Sequence, residues 1–158
     1  MRLQTYMIEV TRHAMTEAFR YAKSVPEDKL NWKPLDLGRS VLEQAQELAK
    51  CPDWAIEVMT GQGMELEAGD TAAEEMASWD TVEKCEAACM EKLAHFFALV
   101  TAYPDSKLEE TIDLPFGEDG ADRTFTMAEM MDYPRWNATY HQGQIAYIQT
   151  LYGDNDNH

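Results

Sequence analysis

The residues best placed to do chemistry lie near the C-terminus, in the run Trp136-Asn137-Ala138-Thr139-Tyr140-His141-Gln142-Gly143-Gln144-Ile145-Ala146-Tyr147-Ile148. At 3.6 residues per turn, Asn137, His141, Gln144 and Ile148 share one helix face. Trp136, Tyr140 and Tyr147 follow a second line. The inner side of a core helix thus carries an imidazole and two amides. A buried polar group without a partner costs about 1–3 kcal/mol. A row of them calls for a hydrogen-bond network, a ligand or a metal. Tyr133, Trp136 and Tyr140 flank the row, either as core or as an aromatic wall for a small ligand.

Other reactive residue types have plainer readings. Cys85 and Cys89 are spaced i, i+4 and face one side of a helix. That spacing allows two metal ligands, but free cysteine is commonly a small core residue. Cys51 precedes Pro52 with only Lys50 close by to lower its pKa, which makes it structural. His13 sits among Glu9, Arg12 and Glu17 and reads as a surface residue, whereas His95 beside Phe96 reads as packed. No Ser-His-Asp pattern, phosphate loop or dinucleotide fingerprint occurs.

The elements that must position these groups are helical. Leu3, Met7, Val10, Ala14, Ala18 and Tyr21 recur every three or four residues, predicting a helix over 3–23 that stops at Ser24-Val25-Pro26. A crossing loop follows, pinned to the core by Trp32 and Leu35. Ser40 with Glu43 is a capping box opening a second helix toward Met59, in which Pro52 predicts a kink or restart. Residues 60–79 read as a glycine-containing connector with room for a short helical turn. Asp80 with Glu83 predicts the cap of a third long helix, which ends before Pro104 and buries Cys85, Cys89, Leu93, Phe96, Phe97 and Val100. Residues 104–125 read as a long connection; Thr111–Leu114 alternates, but no strand pairing is expected. Thr126 with Glu129 caps the last helix, with a break expected near Pro134 and a C-terminal glycine at Gly153. The fold class is therefore all-α: a four-helix bundle with long crossing connections, one domain over 1–153 and a flexible tail over 154–158. Ten methionines suit an adaptable helical core.

Composition narrows the partners. Thirteen basic against 29 acidic residues give a net charge of −16. Such a balance argues against nucleic acid and against anionic membranes. No apolar run has the length of a membrane span, and Arg2, Glu9 and Arg12 interrupt any leader-like stretch. Three cysteines, an odd number, fit a reducing compartment. The expectation is a soluble, cytoplasmic protein.

Three stretches carry a resemblance: Val25–Pro34 in the first connection, Ser40–Ala49 on the second helix, and Tyr140–Gln144 followed by Tyr147-Ile148 on the last. In their order and spacing they resemble the DinB/YfiT-like superfamily of metalloenzymes, and the likeness covers nearly the whole chain. It implies a four-helix bundle in which one histidine of the second helix and a His-x-x-x-His pair of the last bind a divalent metal with an open position. Here those positions hold Glu47, Asn137 and His141. The resemblance implies a metal-dependent hydrolase or a thiol-dependent transferase with a degenerate site. Glu47, Asn137 and His141 would hold Zn²⁺, Ni²⁺ or Mn²⁺; Glu47 and His141 would be catalytic; Gln144, Tyr133, Trp136 and Tyr140 would line the pocket. The alternative is a non-catalytic small-molecule-binding or interaction protein with a metal-free network, in which Glu47 accepts a hydrogen bond from His141. A buried Glu47–His141 ion pair would raise the histidine pKa, and breaking it from one side would cost about 3–5 kcal/mol. A homodimer is expected, both from the likeness and because two-fold dimers are the commonest oligomers.

Overall fold

The computed structural model describes residues 1–35, 37–61, 69–156 and 158. It is mostly helical, with α1 at Leu3–Lys23, α2 at Val41–Thr60, α3 at Gly69–Ser78, α4 at Val82–Ala102 and α5 at Met127–Leu151. A two-stranded antiparallel hairpin, β1 at Thr111–Leu114 and β2 at Arg123–Thr126, precedes α5. The long helices α1, α2, α4 and α5 pack around one core that includes Met15, Phe19, Leu48, Leu93, Phe96, Met131 and Ile145. No helix among the described residues is long and apolar enough to cross a membrane.

Local signals set most boundaries. Ser40 and Thr126 each accept from the backbone N–H three residues on, and Glu43 and Glu129 return the bond, so both capping boxes form. Gly61 ends α2 at φ +67°, where the lack of a Cβ removes the left-handed penalty. The N-terminus of α1 is tied to the far end of α4 by Gln4, whose amide donates to the Tyr103 carbonyl at 3.1 Å and to Asp105 at 2.7 Å.

Several expectations fail for tertiary reasons. Helix α2 runs through Pro52 without a restart. Proline leaves the Leu48 carbonyl without its helical N–H, and the Cys89 thiol of α4 donates to that carbonyl at 3.4 Å instead. Pro134 likewise lies inside an unbroken α5. The connector contains α3, a ten-residue helix rather than a single turn. Gln46 of α2 holds its C-terminal end by donating to the carbonyls of Met76 and Trp79. Gly63 lies outside the described residues. The cap of α4 is Thr81, not Asp80, because Thr81 accepts from Lys84 N–H while Asp80 pairs with the Lys84 ammonium at 2.7 Å. Thr111–Leu114 does pair, with Arg123–Thr126. The hairpin is anchored where Met127 and Ala128 donate to the carbonyls of Glu110 and Leu108. Trp32 packs on the core, but Leu35 is 87 % exposed at φ +65° and pins nothing.

Candidate functional site

The middle of α5 meets the first half of α2. Helix geometry puts Asn137 and His141 on the buried side of α5 and Gln44 and Glu47, one turn apart, on the facing side of α2. His141 is fully buried. Its Nδ1 lies 3.2 Å from the Gln44 side-chain oxygen and 3.0 Å from that of Gln144. Two carbonyl oxygens on one nitrogen mean that Nδ1 carries the proton and donates, leaving Nε2 as an acceptor.

Among the described residues that second nitrogen has no hydrogen-bond partner. Glu47 Oε1 lies 3.2 Å from it, outside hydrogen-bond geometry. The side-chain oxygen of Asn137 is also buried without a partner. A free nitrogen lone pair and a carboxylate oxygen thus lie 3.2 Å apart, and Asn137 lines the same cleft as Glu47. The other oxygen of Glu47 is held by the Arg39 guanidinium, from the loop just before α2.

The expected buried ion pair is not what forms. Glu47 keeps 38 % of its side-chain surface exposed, and its charge is answered by Arg39. Burial dominates at His141 and lowers its pKa to about 4, against a raising effect of the Gln144 hydrogen bond and with a further lowering by Arg39. The predicted upward shift is therefore reversed, and the imidazole is neutral at physiological pH. The expected loss of about 3–5 kcal/mol on breaking the pair falls with it, because that magnitude belongs to two desolvated charges.

Above these groups opens a cleft of about 600 Å³. Gln44, Glu47, Asn137 and Gln144 form its polar floor, with His141 directly behind them. Tyr133, Trp136, Tyr140 and Tyr147 wall one side, Trp136 and Tyr140 stacking at 5.5 Å and 14°. Tyr133 also packs against Trp54 of α2 at 4.4 Å, and burial raises its phenol pKa to about 12. Glu47, Asn137, His141, Gln144, Tyr133, Trp136 and Tyr140, the candidate site residues of the sequence, therefore meet here. Gln44 and Arg39 were missed. The i, i+3 spacing of Gln44 and Glu47 was a usable signal for the first; nothing local marks Arg39.

The remaining reactive side chains stand apart. Cys51, Cys85 and Cys89 are buried, and burial raises each thiol pKa, to about 11 for Cys85 and about 12 for Cys89. Such thiols are inert packing groups. His13 is exposed beside a second groove between α1 and α5. His95 is exposed too, rather than packed, because it points away from the side of α4 that carries Phe96 and Phe97.

As a donor set for a metal, the site has one imidazole, one carboxylate and one amide. Among the described residues no group of three or more His, Cys, Asp or Glu side chains is gathered to hold an ion. The 3.2 Å between Nε2 and Oε1 nevertheless suits two ligands on one ion, which at about 2.1 Å each and 90–109° apart sit roughly 3.0–3.4 Å from each other. A search with family models finds no match for this chain, and none of the curated proteins compared with it matches.

Proposed function

We propose that the chain is a DinB-like four-helix bundle whose cleft holds a divalent cation on His141 Nε2, Glu47 and Asn137, working as a metal-dependent hydrolase or thiol-dependent transferase. The observation that carries this reading is the buried, unpartnered Nε2 facing a carboxylate oxygen at ligand-to-ligand distance. A lowered imidazole pKa keeps the nitrogen lone pair free at neutral pH, the form a metal needs. The Nδ1–H bonds to Gln44 and Gln144 fix the tautomer and the ring, as second partners of metal-binding histidines do. A bound divalent ion would supply Lewis acidity and an activated water or thiol. Glu47, already half outside, is placed to hold or accept a proton at the cleft floor. The aromatic wall would seat the apolar body of the substrate and thin the water around the floor.

A second reading rests on Arg39. Its guanidinium already neutralises Glu47, so a metal-free site binding a small polar ligand is electrostatically complete without an ion. Calorimetric titration of metal-stripped, untagged protein with Zn²⁺, Mn²⁺ and Ni²⁺ separates the two. The metal reading expects one ion per chain and an affinity loss of about 10²-fold or more in Glu47→Gln and His141→Ala. No heat and no rise in Tm with any of the three ions overturns it. A homodimer belongs to the same reading, supported by the uncharged stretch of α5 that borders the cleft.

A further inference from the structure

We infer that two copies of this chain pair through the solvent face of α5, antiparallel and centred between Gly143 and Gln144. The inference rests on the homodimer reading and names its surface. From Trp136 to Gly153, eighteen consecutive residues contain no Asp, Glu, Lys or Arg, in a chain with a net charge of −16. Two such chains repel, so a face free of charge is the least costly place for self-association. This helix has one. Trp136, Tyr140, Tyr147 and Leu151 are among the exposed large hydrophobics of the chain and run along a single line with Gly143 between them. Spacings of four, three, four and four follow the seam of paired helices.

The spacing is also self-matching. About a point between Gly143 and Gln144, Tyr140 mirrors Tyr147 and Trp136 mirrors Leu151. In an antiparallel pair each tyrosine therefore meets the partner's other tyrosine, and each tryptophan the partner's leucine. A two-fold interface needs this self-complementarity, and an unrelated partner does not supply it. Gly143 completes the case. Mid-helix glycine is unfavourable relative to alanine, and the described residues of its own fold give no reason for it: a Cβ there meets none of them within 4 Å. At the crossing point of two helices, a missing side chain lets the backbones approach.

The face is sizeable. Half-exposed aromatic side chains of this size, together with Leu151, offer on the order of 400 Å² per copy, about half of the roughly 800 Å² of a standard interface, and the exposed Leu37 at the rim of the cleft would add to it. Because Trp136, Tyr140 and Tyr147 also border the cleft, pairing would place the second copy at its open side.

Light scattering and sedimentation on the full chain test this, with Gly143→Arg and Gly143→Cys as variants. The expected result is a dimer at micromolar concentration that tightens as salt rises, since screening weakens the repulsion between acidic copies. Gly143→Arg should keep the helical spectrum and Tm of the parent, as the position is open in the monomer, and raise the dimer dissociation constant about 10²-fold. Oxidised Gly143→Cys should form a covalent dimer, the three native thiols being buried. A parent mass of one chain overturns both the homodimer and this surface. A dimer that survives Gly143→Arg, with no cross-link through Cys at 143, overturns the surface alone.

Discussion

The two sides of helix α2 treat buried polar atoms in opposite ways, and neighbouring residues show it. At Leu48 the carbonyl left open by Pro52 is met by the Cys89 thiol, which also lies 3.9 Å from Met15 Sδ. Every group there is buried and the one orphan has found a donor. One residue earlier, Glu47 lies 3.2 Å from His141 Nε2, a buried nitrogen with no donor among the described residues, and the buried Asn137 oxygen has none either. A buried acceptor with no donor costs free energy in the isolated chain. The fold closes that account on the α4 side and leaves it open on the α5 side, beside a cleft. Packing alone explains the first region. The second makes physical sense as a place that receives something electron-poor.

The largest expected effect that tests this contrast is acid sensitivity. The ordinary histidine value of 6.5 belongs to the unfolded chain, and His141 in the fold titrates near 4. Between the two, the unfolded chain binds the extra proton. Its contribution to stability is therefore complete above about pH 6.5 and is lost as pH falls toward 4, amounting to about 3 kcal/mol. Denaturant curves at several pH values should show His141→Gln with a flatter profile in that window. Equal slopes for variant and parent would mean that the ring is solvated or charged in the fold.

On the closed side, Cys89→Ala should cost about 2 kcal/mol, because it strands the Leu48 carbonyl and leaves a small cavity. Urea midpoints measure this. A loss within error would show that the thiol does not satisfy the carbonyl, and the contrast between the two sides would weaken.

Glu47→Gln is expected to cost under about 1 kcal/mol in EDTA, since the pair with Arg39 is part-exposed and screened. With Zn²⁺ present the gap between parent and variant should widen, because only the parent gains the full ligand bond. A large loss in EDTA would restore the buried ion pair that the structure replaces with Arg39.

The smallest effect is expected at Asn137. Replacing it with Leu removes an acceptor that has no donor, so stability should change by less than about 0.5 kcal/mol or rise slightly. Destabilisation as large as that of Cys89→Ala would mean that the Asn137 oxygen is bonded after all. Both sides of α2 would then be closed, and the comparison would collapse.

What was legible in the sequence is what depends on neighbours in the chain. Helix α1 has the bounds its apolar spacing implies, and both capping boxes form where Ser40–Glu43 and Thr126–Glu129 announce them, because a cap is a contact over three residues. The inward face of Asn137 and His141 follows from helical periodicity in the same way. The strand pair was not legible, since register between Thr111–Leu114 and Arg123–Thr126 is a contact between segments. Nor was the continuity of α2, because the thiol that answers the Leu48 carbonyl comes from 41 residues away. The same holds at the site. Residue types alone place a carboxylate and an imidazole on facing helices. Whether they form a charged pair depends on how deeply each is buried and on which third group arrives. Only the packed chain decides that Arg39 takes Glu47 and that burial leaves His141 neutral, because desolvation and long-range charge have no local signature in the sequence.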